Sequence, residues 1–190
     1  VLKKKGKSLL ESELIPGIII EKEIVHPDMP KRVVSAKIAL LDCWLKFSQK
    51  QSFRRELKIQ LTRSEQVGGL MDTLMAVSRE IADKIVASGA NVVFSTKAND
   101  EYVNYFLAKA KVLAADRLAK NDFELLAKAT GGRIVSDLYD LTSDKLGQAD
   151  LVEVRKIHES EMLFVEKCSK LESISVLVRG GEDYVVNEAE

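Results

Sequence analysis

The residues of this 190-residue chain whose types could most directly do chemistry are two histidines, two cysteines, two of its three Gly-Gly pairs and one basic stretch. His26 and His158 fall in expected turns, without a neighbouring Cys or a paired carboxylate at ligand spacing, so solvated turn residues are expected rather than a metal site or a base. Cys43 and Cys168 belong to no Cys-x-x-Cys pair, and they are expected to be reduced thiols filling core space. Gly131-Gly132 and Gly180-Gly181 extend to no Walker or dinucleotide glycine pattern, and a helix stop and a turn account for them. Lys46, Lys50, Arg54, Arg55, Lys58 and Arg63 are interrupted by the single acid Glu56. Such a field suits a polyanion, an acidic polypeptide or a neighbouring subunit, and equally a solvated loop. No nucleophile, base or metal cluster emerges, so catalysis is not expected.

Bulk composition narrows the class. The 29 Lys and Arg balance the 29 Asp and Glu, so no global field favours nucleic acid or an anionic membrane, and any electrostatic role is local. With 46% hydrophobic and 31% charged residues the chain falls in the ordinary globular range, long enough for one domain with a sizeable core. Apolar runs such as 18–20 and 38–41 are too short to cross a bilayer, and residues 1–10 lack the apolar stretch of a signal peptide, so a cytoplasmic location is expected.

The elements that would position these groups follow from periodicity. Residues 1–13 are polar and Lys-rich and predict an exposed lead-in. Strands are predicted over 18–22 and, after the Pro27 and Pro30 turn, over 36–42, where the run Ile38, Ala39, Leu40, Leu41 suits a central strand buried on both faces. Leu57, Ile59 and Leu61 alternate as a short extended segment. Thr62 and Glu65 have capping-box spacing for a helix that runs to about 88 and stops at Gly89. Its stripe is Val67, Leu70, Leu74, Ile81 and Ile85, widened by Met71, Met75, Ala82 and Val86, while Gly68 and Gly69 loosen its start. Strand and helix then alternate as a parallel βαβαβ unit: 91–95, helix 100–111, 112–115, helix 122–130 with Asn121 and Glu124 at cap spacing, and 133–136. A helical turn at 142–146 precedes a mainly β end, 151–157, 162–166 and 174–178.

Longer strings say more than single groups. GIIIEKEIVHPDMPKRVVSAKIALLD over 17–42, GANVVF over 89–94, YFLAKA over 105–110, LAKATGGRIV over 126–135 and VLVRGG over 176–181 stand in order with matching gaps. The chain in this respect closely resembles the apical domain of group II chaperonins of the archaeal thermosome type, related to eukaryotic CCT/TRiC, over essentially its whole length. The resemblance implies an α/β, GroEL-like apical domain: a β-rich body with flanking helices and a βαβαβ unit, carrying an inserted helical protrusion that serves as a built-in lid. Lead-in 1–16, apical domain 17–181 with its protrusion at about 53–78, and a return segment 182–190 are the implied parts.

The resemblance also implies function. Unfolded polypeptides are the expected clients, other subunits of a double ring the expected partners, and neither a membrane nor nucleic acid is expected. No cofactor is expected in this chain; ATP and Mg belong to the full-length subunit, whose equatorial and intermediate domains carry the ATPase site. The implied client-binding helix is 100–111. Spacing turns Val103, Phe106, Leu107 and Ala110 inward, leaving Glu101, Asn104, Tyr105, Ala108 and Lys109 outward, with Tyr105 the foremost contact. The matching loop contributes Lys46, Phe47, Gln49 and Gln51, with Trp44 adding apolar surface. Lid residues are Phe53, Leu57, Ile59, Leu61, Val67, Leu70, Met71 and Leu74.

The chain departs from the family pattern in several places. Its loop before the protrusion is longer and more basic, Thr62-Arg63-Ser64-Glu65 replaces Thr-Asp-Pro-Glu, and Gly68 and Gly69 sit in what is normally a firm helix. Ala98-Asn99-Asp100-Glu101 replaces Gly-Ile-Asp-Asp, and Asp116-Arg117 replaces Arg-Arg. These mark a divergent paralogue. A polyanion- or RNA-binding module using 46–63, and a subunit that mainly modulates its ring neighbours, are the alternatives.

Overall fold

The computed structural model describes residues 2–5, 12–46, 67–157, 160–170 and 173–180. In chain order the strands and helices are β1 (Leu2–Lys5), β2 (Glu13–Ile15), β3 (Gly17–Ile20), β4 (Arg32–Leu41), α1 (Val67–Ala87), β5 (Val92–Ser95), α2 (Glu101–Lys109), β6 (Leu113–Ala115), α3 (Lys120–Thr130), β7 (Ile134–Val135), β8 (Gly147–Ile157), β9 (Ser160–Cys168) and β10 (Ser175–Gly180).

Among the described residues the main sheet runs β3-β9-β8-β4-β5-β6, with β7 also paired to β4. As its apolar run predicts, β4 is central: Ile38, Ala39, Leu40 and Leu41 are all fully buried. Successive side chains on a strand point to opposite faces, and here both faces are covered. Ile38 and Leu40 join Phe94, Leu113, Phe123, Leu126 and Val165 beneath α3. Ala39 and Leu41 join Val93, Ala114, Ile81, Ile85, Val103 and Leu107 beneath α1 and α2. Each Ile, Leu, Val or Phe among them, buried in this way, contributes about 1.5–3 kcal/mol. The strand starts earlier than its apolar run, at Arg32, because its first half alternates exposed and buried residues against β8.

Parallel pairing of β5 with β6 gives the expected crossover through α2, and β4, which precedes α1 in the chain, also pairs in parallel with β5. The third strand departs from simple succession: β7 returns to β4, placing Ile134 opposite Leu40 where β8 has left off at Gly147. Gly89 (φ 86°) ends the α1 segment and Gly131 (φ 71°) caps α3, both in the left-handed region that favours glycine. The cap expected at Asn121 is corrected: Ala119 is the N-cap, without a side-chain bond, and Asn121 lies inside the first turn with Asp122, whose charge favours the helix start. The capping pair Thr62 and Glu65 lies outside the described residues.

The lead-in holds strands that its composition does not announce. β1 pairs in parallel with β10, and β10 pairs antiparallel with β2, forming a second, three-stranded sheet. Ile15 and Leu177 from this sheet pack on Ile19, Met162 and Phe164 of the main one. Gly17 sits where this small sheet meets β9; a Cβ there would fall 2.0 Å from the Val165 carbonyl oxygen.

Candidate functional site

The start of α2 is built by polar side chains that fix a turn. Asp100, extended at φ −73° and ψ 144°, caps the helix through Oδ1, which accepts the Tyr102 N–H at 3.0 Å. Just before it, the Asn99 N–H donates to Asp116 Oδ2 at 3.0 Å, and the Ser95 hydroxyl donates to the Lys97 carbonyl. The loop leaving β4 is tied to this turn: Leu45 bridges Asn99, and the Asp100 N–H donates to the Leu45 carbonyl at 2.9 Å. Leu45 itself is fully buried, anchoring the loop beside the helix start. The loop and helix that the resemblance pairs as one surface therefore adjoin.

Three of the five helix residues expected outward do face solvent. Glu101, Tyr105 and Lys109 are exposed, and Tyr105 at 49% is the large apolar group of the helix surface. Its ring meets Phe106 edge-on, with centroids 5.4 Å apart and planes at 70°, which limits the ring's freedom.

Asn104 and Ala108 are corrections: both are buried, at 8% and 3%. A helical stripe predicts one covered face, but α2 lies against the sheet and also against α1, so a second flank is covered. Ala108 shares a cluster with Ile81, Ala82 and Ile85 of α1, where a small side chain lets the helices approach. Ala110, expected inward, is the exposed C-cap residue, and Phe106 is only half-buried. The Oδ1 of Asn104 is buried without a hydrogen-bond partner.

On the loop, Trp44 is 49% exposed, and the ammonium of Lys46 stands 4.2 Å from its ring centroid. Phe47, Gln49 and Gln51, with the lid residues Phe53, Leu57, Ile59 and Leu61, lie outside the described residues. For Val67 and Leu70 the helical backbone of α1 is described and the side chains are not. Met71 and Met75 are exposed at 44% and 43%, and Leu74 is half-buried. Among the described side chains of α1, core contact is made by Val77, Ile81, Ala82 and Ile85, while Met71 and Met75 offer adaptable apolar surface.

Cys43 and Cys168 are free thiols, each half-buried against a core cluster. Burial, with the carboxylates of Asp137 and Asp42 nearby, pushes the Cys43 thiol up to about 11. A thiol so disposed is a poor nucleophile at neutral pH. His26 accepts the Asp28 N–H at Nδ1 at 3.2 Å, a local turn bond; His158 lies outside the described residues. No group of three or more His, Cys, Asp or Glu able to hold a metal occurs among the described residues.

The described residues thus combine a mixed α/β architecture with an exposed aromatic-and-charged helix beside a tethered loop. Over residues 1–190 the sequence matches the model of the TCP-1/cpn60 chaperonin family, and the chain belongs to that family. It is 46% identical over 186 residues to thermosome subunit beta of Archaeoglobus fulgidus, covering 98% of this chain and 34% of that subunit. It is 43% identical over 190 residues to thermosome subunit beta of Aeropyrum pernix, covering all of this chain and 34% of that subunit. Among solved structures, the open-state monomer of a group II chaperonin from Methanococcoides burtonii superposes with a TM-score of 0.76 at 36% identity, over 97% of this chain and 39% of that one. The fold is thus that of a group II chaperonin domain, and the chain spans about a third of the length of these relatives.

Proposed function

We propose that this chain is the apical domain of a group II chaperonin subunit and captures unfolded polypeptides on the surface formed by α2 and the loop leaving β4. The observation that carries this is Tyr105, half exposed on a helix whose start is pinned to the loop by the Asp100–Leu45 hydrogen bond. An exposed aromatic ring with few rotatable bonds offers apolar contact at small entropic cost. Glu101 and Lys109 beside it add polar contacts without closing the surface. Each contact is weak, and a ring of such domains multiplies them.

In the full-length subunit, ATP binding and hydrolysis belong to other domains, and their movement turns this one so that protrusions meet as a lid. The exposed Met71 and Met75 on α1 suit the base of that protrusion. The test is light scattering of a chemically denatured client diluted into buffer with the domain, with its Tyr105→Asp variant, or with neither, at low and high salt. Salt-tolerant suppression by the parent that the variant loses is the expected result. Equal suppression by both overturns the assignment to α2, and steeply salt-dependent binding points to polyanion recognition.

A further inference from the structure

We propose that the Trp44–Lys46 pair selects among clients, favouring extended segments in which a carboxylate stands beside an apolar side chain. The inference rests on the reading of this surface as the capture site and names the substrate class it prefers.

The indole of Trp44 is exposed at the described start of the loop, yet its face is not free: the Lys46 ammonium lies over it at 4.2 Å. A purely apolar segment must displace that ammonium to reach the ring, and loses the cation–π attraction in doing so. A segment carrying Asp or Glu draws the ammonium towards its own carboxylate, which replaces the ring as the partner of the charge. The indole face then opens to the neighbouring apolar side chain. A basic segment meets like charge at the same place and is disfavoured.

The local charge pattern orients such a segment. Leu45 lies between the pair and the start of α2, where Asp100 and exposed Glu101 present the opposite sign. The carboxylate therefore belongs at Lys46, and the apolar side chain belongs against Trp44. An exposed charge pair of this kind is worth a modest factor, about two- to fivefold in affinity, reduced by salt.

Trp44 is the single tryptophan of the chain, so its one indole N–H resonance reports on the site directly. Two capped peptides free of aromatic residues, identical except for a central Asp or Asn flanked by leucines, are titrated to millimolar concentration against the parent and Lys46→Met. The variant keeps the side-chain length and removes the charge. The expected result is binding of the Asp peptide about two- to fivefold tighter than the Asn peptide in the parent, with the ratio falling to one in Lys46→Met. Equal binding in the parent, or an Asp preference that survives in Lys46→Met, overturns the proposal. If neither peptide moves the indole resonance while Tyr105-dependent suppression of client aggregation persists, the selectivity fails and the capture reading stands. Loss of both sinks the capture reading with it.

Discussion

The thioether Sδ of Met29 accepts a hydrogen bond from the Ala114 backbone N–H at 3.3 Å. The Ala114 carbonyl in turn accepts from the Val25 N–H at 3.1 Å. Ala114 lies on β6, the last strand of the main sheet on that side, so the loop between β3 and β4 occupies the place of a further strand. An open edge invites pairing with another chain, and covering it with a loop removes that template. Met29→Leu keeps the volume and removes the acceptor, and is expected to lower stability by about 1 kcal/mol in urea unfolding. Met29→Ala is expected to lower it by about 3 kcal/mol. Faster hydrogen exchange at the Ala114 amide in both variants would confirm the local cause.

Asn91 holds a kink in β4. Its Oδ1 accepts the Lys37 N–H at 2.6 Å and its Nδ2 donates to the Ser35 carbonyl at 3.3 Å, bracketing Ser35 at φ 52°. Asn91→Ala is expected to cost about 1–2 kcal/mol. Ser35→Gly, which relieves the left-handed backbone at an exposed position, is expected to gain about 0.5 kcal/mol. The shift of the urea midpoint, in opposite directions for the two variants, is the check.

Burial divides the residues of α2 into two groups with separable effects. Asn104→Ala deletes an acceptor that is already unpartnered, so its stability change is expected to stay within about 1 kcal/mol. It should also leave client capture intact. Lys109→Ala is expected to change stability by about 0.5 kcal/mol or less and to alter capture, since that side chain is exposed. Thermal unfolding and aggregation suppression, measured on the same preparations, separate the two groups; capture lost in Asn104→Ala would contradict the assignment.

The Cys43 thiol is held protonated by burial first and by Asp137 and Asp42 next, from an ordinary 9.0 up to about 11. Well below pH 9 it is neutral in the folded and unfolded chains alike, so it adds no pH dependence there. Between about pH 9 and 11 the unfolded thiol ionises first, so stability falls as pH rises through that window. In a Cys168→Ser background, alkylation of the folded protein is expected to be slow at pH 8 and to climb towards pH 11. Asp137→Asn, which keeps a side-chain acceptor for the Tyr139 N–H, should shift that climb to lower pH. An alkylation profile centred at pH 9 would contradict the burial argument.

The sequence makes β4 legible because four consecutive apolar residues cannot alternate and must be covered on both faces. The family is legible because several strings recur in order with fixed gaps. β1 and β2 are not, since Lys3, Lys4 and Lys5 carry no apolar period and their pairing with β10 is made by backbone groups. The outward residues of α2 were legible only in part. A stripe through Val103 and Leu107 shows that one face is covered, while the burial of Asn104 and Ala108 depends on α1, a neighbour whose position no local spacing encodes. The tethering of Leu45 to Asn99 and Asp100 is likewise a long-range contact. Asp100 alone signals its local part, as a cap residue before a helical stripe.

The small sheet has a mechanical meaning. β1 and β10 run in the same direction as neighbours, with Leu2 opposite Leu177 and Lys5 opposite Gly180. Tension that draws Leu2 and Gly180 apart pulls the two strands past each other, so their hydrogen bonds are loaded together in shear rather than opened one at a time. A load arriving through these strands would meet a stiff joint, and torque would pass into the body through the contact of Ile15 and Leu177 with Ile19 and Phe164 before the sheet gave way.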